Sequence, residues 1–407
     1  MKYLSTIVSL VAAILFISCE KLGIDTNPRK SLELTTKATD FVSQGNDFAF
    51  DFINRVNDTA EGDFFISPLS MQFLLGMLLD GADGQTADEI CSVLGYGAGE
   101  VDEVNDYCLS MLKQLPGLDK KTKLEIANAI VVNQNYTLLD NFKATTKKYF
   151  EAEVSNMDFT DATGTANKIN KWCSRHTNGM VPKIIDNVSA DDIVYLMNAL
   201  YFKSQWKEKF SKSNTAQEPF SREDGSKLNV QMMKQEEDFL YQDNDILRAV
   251  CLPYGNWSYT MMVILPADGK TLDDVIDYLH TESWNAFKRT MVTCDVDLWL
   301  PRFESQFEIK LNDLLTAMGM PSAFSPLAAN FSAMSNTPLY LSLVQQNAAI
   351  KVDEEGTEAA AISFSVGKAM AAAPGEHVVF HADSPFLYLI TESSTGAILF
   401  AGKFSGR

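Results

Sequence analysis

A catalytic site in this chain would have to draw on four histidines, His176, His280, His377 and His381, and on cysteines that fall into no paired spacing. The sequence holds no H-E-x-x-H, C-x-x-C, G-x-S-x-G or P-loop pattern, which leaves zinc proteolysis, the serine elbow and the phosphate cradle without a motif. Gly95 to Glu100, G-Y-G-A-G-E, has the glycines of a dinucleotide loop, but it ends a helical pattern instead of linking strand to helix. The acidic doublets Asp191-Asp192, Glu236-Glu237 and Asp273-Asp274 read as solvated surface, and nothing marks them as paired catalytic carboxylates. No catalytic residue, metal ligand set or cofactor is expected.

The stretch that stands out is built for a mechanical step. Residues 348–374 read A-A-I-K-V-D-E-E-G-T-E-A-A-A-I-S-F-S-V-G-K-A-M-A-A-A-P. Ile350 and Val352 alternate with Lys351 and Asp353 as in a strand, and Glu354, Glu355 and Gly356 then favour a bend. Beyond it every second side chain is small: Thr357, Ala359, Ala361, Ser363, Ser365 and Gly367. The intervening Glu358, Ala360, Ile362, Phe364, Val366 and Lys368 mix charge with bulk, so a strand here has one thin face and one broad face. A thin face can slip between two strands of an existing sheet, small residues over the interior. Roughly a dozen new backbone hydrogen bonds at ~0.5–1.5 kcal/mol each would gain on the order of 10 kcal/mol, comparable with a whole domain's stability. Glu and Ala are also good helix formers, so the alternation alone leaves a solvated surface helix open.

The elements that must hold such a stretch follow from the rest of the chain. Its 407 residues, 46% hydrophobic and 11% aromatic, can bury a large core. No linker, repeat or low-complexity tract divides it after residue 40, which predicts one domain over 41–407. The formal charge of −19 argues against nucleic acid and anionic membranes as partners. Residues 1–18, with Lys2 before an apolar run from Ile7 to Ile17, read as a signal peptide too short to span a bilayer. Ile17-Ser18-Cys19 resembles a bacterial lipobox, with Phe16 where Leu is usual. That resemblance implies a lipid on Cys19, a tether over 19–40, and anchoring at the periplasmic or outward face of an outer membrane; without the lipid the chain would be secreted. The other five cysteines, Cys91, Cys108, Cys173, Cys251 and Cys294, are expected to be buried thiols.

Phe48, Phe52 and Val56 recur every four residues, a helix packing one face. Ser67-Pro68 supplies an N-cap and a first-turn proline for a buried helix through Leu79, and Thr86 with Glu89 forms a capping box for the next. Residues 123–133 and 193–203 read as strands, and 169–178 as a helix stopped by Gly179. Strands follow at 230–234, 239–241, 249–255, 261–266 and 297–304, then a helix stopped by Gly319. A hairpin of 386–392 and 397–404 turns through Ser393-Ser394-Thr395-Gly396. Helices crowd the first half and strands the second, which predicts an α+β fold.

These blocks resemble the serpin family: S-P-L-S at Ser67, the G-A-D-G-Q-T run before I-C-S-V-L-G, L-M-N-A-L-Y-F-K-S-Q-W up to Trp206 with Ser204 in place of Gly, and E-E-G-T-E-A-A-A at Glu354. The resemblance implies a serpin fold of three sheets and eight to nine helices, with an exposed reactive-centre loop over about 354–376. It implies an irreversible inhibitor of serine, or cysteine, endopeptidases that traps an acyl-enzyme when the cut loop inserts into the main sheet. The alternative is a non-inhibitory serpin acting as a binding or chaperone protein; the clear run from Thr357 to Ala361 favours inhibition. The family's count of seventeen residues from the first hinge Glu puts the reactive bond at Met370-Ala371, with Lys368 as the runner-up. Met370 suits elastase-, subtilisin- or chymotrypsin-like proteases and Lys368 a trypsin-like one; a papain-like target fits the same chemistry. The resemblance also carries over a hinge of Glu354, Glu355, Gly356, Thr357, Glu358, Ala359, Ala360 and Ala361, and an ion pair of Arg302 with Glu354. It adds a sheet-opening cluster of Ser67, Ser70, Asn198, Trp206 and Gln346, where Gln346 replaces the family's histidine. A monomer is expected.

Overall fold

The computed structural model describes residues 26–357 and 376–406. Nine α-helices lie among them: α1 (Thr36–Thr59), α2 (Pro68–Leu79), α3 (Gly84–Leu94), α4 (Val101–Gln114), α5 (Asp140–Phe150), α6 (Ala162–His176), α7 (Leu272–Tyr278), α8 (Thr281–Arg289) and α9 (Asn312–Met318). The strands in the first half are β1 (Phe64–Ile66), β2 (Lys123–Asn133), β3 (Glu153–Met157) and β4 (Val194–Gln205). β5 (Ala216–Ser221), β6 (Lys227–Asp243), β7 (Leu247–Pro253), β8 (Tyr259–Pro266), β9 (Val292–Pro301) and β10 (Phe303–Lys310) follow. β11 (Leu341–Asp353), β12 (Gly356–Thr357), β13 (His377–His381), β14 (Phe386–Glu392) and β15 (Ile398–Phe404) complete the set.

The sheet that carries the site runs β10-β11-β12-β4-β2-β3. The other strands run β1-β15-β14-β8-β7-β6-β9-β13, with β5 on β6. β6 serves two neighbourhoods, since residues 227–232 pair β5, 232–241 pair β9 and 240–243 pair β7. The second sheet and a small third one therefore share this strand, and the two separate strands expected at 230–234 and 239–241 are one. The architecture is the expected α+β fold of three sheets.

β4 shows why the main sheet is buried on both sides. Val194, Leu196, Leu200 and Phe202 enter the large core, and Tyr195, Met197 and Ala199 enter a second core with Ile169, Trp172 and Cys173 of α6. Strand side chains alternate, so one apolar run fills two layers. All twelve residues of α2 are buried, because it lies between this sheet and β15. Ser67 caps it, accepting from Ser70 N at 3.3 Å, with Pro68 in the first turn.

Three expectations are corrected. The capping box of Thr86 and Glu89 does not form: Asp83 caps α3, buried Thr86 accepts from Asn330 N, and Glu89 accepts from Ser322. The tether does not extend to Asp40, since α1 opens at Thr36 and residues before it are bound to the body. Asn27 donates to Asp119 at 2.7 Å, Lys30 N to Ser258 at 3.2 Å, and Leu32 is buried. The helix expected over 169–178 opens earlier, at Ala162, and ends at His176, after which Asn178 and Gly179 both take left-handed backbone. Cys91, Cys108, Cys173, Cys251 and Cys294 are all free and buried, as expected, and burial pushes the Cys173 and Cys251 thiols up to about 12. Cys19 lies outside the described residues. Among those residues no helix is long and apolar enough to cross a membrane.

One buried carboxylate works against the fold at neutral pH. Asp80, at the C-cap of α2, accepts from Asn105 Nδ2 at 2.7 Å, while its Oδ2 and Asn105 Oδ1 have no partner. Burial pushes its pKa up to about 6, against the lowering by Asn105, and the negative end of the α2 dipole adds to the penalty. The folded protein thus prefers the protonated acid, and stability is lost as pH rises from the unfolded value towards 6. Asp80→Asn is expected to gain about 2 kcal/mol at pH 7.5, a rise of several degrees in Tm. Thermal scans should show that gain vanish below about pH 4, where the wild-type carboxyl is protonated in both states.

Candidate functional site

Over its lower part β11 pairs β4 in parallel, with Gln346 opposite Asn198 and Asn347 opposite Ala199. Higher up the two strands part and the chain doubles back between them. Asp353 turns it, its Oδ1 accepting from Glu355 N at 2.9 Å as in an Asx turn. Gly356 then sits opposite Asp353 on one side and Gln205 on the other, and Thr357 sits opposite Val352 and Ser204. The offset between β4 and β11 is the same at these two rungs as at Asn347 and Ala199. Beyond the turn, Gly356 and Thr357 enter the sheet in the register of the strands that flank them.

Gly356 is obligatory here. Its φ is +148°, and a Cβ would run into Ser204 O and lie 2.7 Å from Gln205 Cα. Thr357 is buried, its Oγ1 2.6 Å from Tyr254 OH. Tyr254 stacks on Trp206 with ring centroids 4.4 Å apart, and Trp206 donates its indole N–H to Asp353 O at 2.9 Å and its backbone N–H to Glu355 O at 2.9 Å. Trp206 therefore belongs to the floor of the hinge and not, as expected, to the cluster around Ser67.

Two buried carboxylates pin the turn. Glu354 accepts from Arg302 at 2.5 and 2.6 Å and from Thr215 Oγ1 at 2.6 Å; its side chain is 2% exposed against 43% for Arg302. The expected pair is formed, with the glutamate deeper than a partly exposed pair. Glu355 accepts from Lys209 at 2.6 Å, with Lys212 at 3.7 Å. Burial alone would raise the Glu354 pKa, but hydrogen bonds from Thr215 and Arg302 and the guanidinium charge outweigh it and hold the carboxyl below its ordinary value. A lowered carboxyl contributes stability that is complete above the unfolded value and lost as pH falls through the folded one. The turn should therefore loosen only in acid, below the ordinary glutamate range, and Arg302→Ala should move that loosening to higher pH. Fluorescence of Trp206, isolated by difference against Trp206→Phe, checks this: identical acid transitions in wild type and Arg302→Ala would sink it.

Lower down, the remaining polar residues meet. Ser67 N donates to Gln346 Oε1 at 2.9 Å, Gln346 Nε2 donates to Ser67 O at 3.0 Å, and Ser67 Oγ donates to Leu399 O at 2.6 Å. Asn198 donates to Asn128 Oδ1 at 2.9 Å and Ala127 O at 3.3 Å. Ser70 Oγ and Asn198 Oδ1 have no partner although both residues are buried. Each such buried group costs about 1–3 kcal/mol, so the sheet is least well satisfied at the level where the parting strands rejoin.

Glu358, Ala359, Ala360, Ala361, Lys368, Met370 and Ala371 lie outside the described residues. Tyr254, Thr215 and Lys209 were not expected in the site. Tyr254 gives no signal beyond an aromatic before the glycine of a turn, and Thr215 and Lys209 sit in polar sequence whose partners are more than a hundred residues away.

The comparisons with known proteins agree with this geometry. Residues 43–406 match the family model described as serpin (serine protease inhibitor). The leukocyte elastase inhibitor of Xenopus laevis is 33% identical over 370 residues, covering 88% of this chain and 97% of that protein. The crystal structure of the thermophilic serpin tengpin in its native state superposes with a TM-score of 0.84 at 28% identity, covering 94% of this chain and 97% of tengpin. Thyroxine-binding globulin in complex with thyroxine superposes at 0.81 with 27% identity, covering 89% and 98%. Matched along nearly its whole length, with the family's three-sheet fold in place, the chain belongs to the serpin family.

Proposed function

We propose that this serpin is an irreversible inhibitor of serine proteases that works by inserting its cut loop as a new strand between β4 and β11. The carrying observation is the register. Gly356 and Thr357 occupy the first two rungs, and the offset they keep is the one β4 and β11 hold below. Continued in that register, Glu358 faces Lys203 and Lys351, and Ala359 and Ala361 come over Phe202 and Leu200 of the core. Ser363 reaches the level of Asn198 and Gln346, where Asn198 Oδ1 lacks a donor. Nine residues, Glu358 to Val366, fill the sheet down to Tyr195 without a slip of register; a bulge in β11 between Leu341 and Leu343 shifts the last rung at Val194.

In the proposed reaction the protease serine oxygen attacks the Met370 carbonyl carbon, the Met370–Ala371 bond breaks, and the Ala371 amine leaves with a proton supplied by the protease histidine. The ester remains on Met370. Insertion then drags the protease along the sheet before water can reach that ester, so strain released by the inhibitor opposes turnover. The methionine points to elastase-, subtilisin- or chymotrypsin-like enzymes. The likeness to thyroxine-binding globulin favours a second reading, a serpin that binds a ligand and is cut without trapping. Incubation with elastase-, subtilisin-, chymotrypsin- and trypsin-like enzymes and with a papain-like one separates the two. A complex that survives SDS, with a released C-terminal peptide starting at Ala371, supports inhibition; clean cleavage without a complex for every enzyme would overturn it.

A further inference from the structure

β13 carries the chain back into the body after residue 375. It runs parallel to β9, with His377 opposite Asp295 and His381 opposite Trp299, and β9 runs antiparallel to β6, with Asp295 opposite Asp238 and Asp297 opposite Glu236. Opposed residues share a face, and alternation brings Glu236, Asp238, Asp295, Asp297, His377 and His381 to the same one. It is the solvent face, for Val379 between the two histidines is 50% exposed. His381 is already engaged: its Nε2 is 2.9 Å from Asp297 Oδ2, and its ring stacks on Trp299 at 4.0 Å.

His377 has different company. Its Nδ1 is 3.2 Å from Asp295 Oδ2 and 4.0 Å from Glu236 Oε1, and one ligand atom from each of the three residues falls within 4.8 Å of the others. A tetrahedral zinc at about 2.0–2.2 Å from each ligand sets neighbouring ligands about 3.3–3.6 Å apart, so small side-chain rotations close the set. One imidazole nitrogen and two carboxylates are donors zinc accepts, and solvent can supply the fourth. Asp238 and Asp297 add negative potential on the same face, while the nearest lysine on it, Lys234, is paired with Glu218 and lies over Trp299. The other histidines offer nothing similar. His176 shares the Glu153 carboxylate with the Arg175 guanidinium, whose charge repels a cation, and His280 uses its Nδ1 to cap α8.

We propose that Glu236, Asp295 and His377 form a divalent-cation site, suited to zinc, that ties β13 to β9 and β6. The bound ion replaces the hydrogen bond between His377 and Asp295 with two stronger bonds and adds a link to the third strand. It clasps the strand that receives the chain at the end of the 358–375 segment, on the side opposite the hinge. The site is independent of the inhibitory reading.

Isothermal titration of the full chain with zinc chloride tests it. The expected result is one site of micromolar affinity, weakened at least about tenfold in His377→Ala and in Asp295→Asn and unchanged in His381→Ala. Amide exchange across 377–381 should slow on adding zinc in the wild type and not in His377→Ala. Absence of binding, equal affinity in His377→Ala, or equal loss in His381→Ala would each overturn the proposal. Because His377 is 56% exposed, its replacement should leave the fold intact, and an unchanged melting temperature without zinc verifies this.

Discussion

A single cut at Met370–Ala371 should raise the melting temperature of this serpin by on the order of 10 °C. In the intact chain Gly356 and Thr357 make two rungs of the sheet, and the chain is tied back into the body at β13. Cutting releases that tie. About ten further residues can then pair on both sides, with roughly a dozen net backbone hydrogen bonds at ~0.5–1.5 kcal/mol each, and Ala359 and Ala361 cover apolar side chains of β4. A gain on the order of 10 kcal/mol converts to about 10 °C for a domain of this size, whose unfolding entropy is about 0.8 kcal/mol/K. Differential scanning calorimetry of intact and clipped protein measures it directly. Equal melting temperatures would mean that the register continuity between Asn347 and Asp353 stores nothing.

The second large effect is expected from Thr357→Arg. Thr357 is the first side chain of the entering segment that points into the interior, buried and hydrogen-bonded to Tyr254 beneath it. An arginine there must either carry its charge under the sheet or keep the segment out. Entry should fail at its first step while the bond at Met370 stays available to the protease. We expect the yield of SDS-stable complex to fall by at least about a hundredfold, an amount of roughly 3 kcal/mol in the partition between trapping and hydrolysis. Cleavage should continue at an unaltered rate. Thr357→Ser, which keeps the hydroxyl towards Tyr254, should inhibit like the wild type, and an arginine variant that still traps protease would remove entry at this rung from the mechanism.

How much of this was legible beforehand depended on the range over which each feature is encoded. The strand from Leu341 to Asp353, the turn at Glu354 and Glu355 and the run of small residues after it are written in neighbouring positions, since β alternation has a period of two. The Ser67 cap and Pro68 were equally local. Thr86 and Glu89 matched a local pattern as well, yet tertiary partners, Asn330 and Ser322, took the groups that a capping box would have used. Trp206 stands apart from the Ser67 cluster because the strand leading to it serves two places: Asn198 lies at the rung of Gln346, and Trp206 lies eight residues on, at the turn after Asp353.

The chain's local chemistry determined by itself that there is a large α+β core, no motif for catalysis, and a segment able to become a strand. Only the tertiary structure decided that Gly356 and Thr357 already stand between β4 and β11, that Tyr254 and Thr215 receive them, and that Glu236, Asp295 and His377 converge. The physical reason is that these meetings depend on ladder register. One residue of slip turns every side chain of a strand to the other face, and the energy that forbids the slip is burial summed over both cores, which no short window of sequence contains.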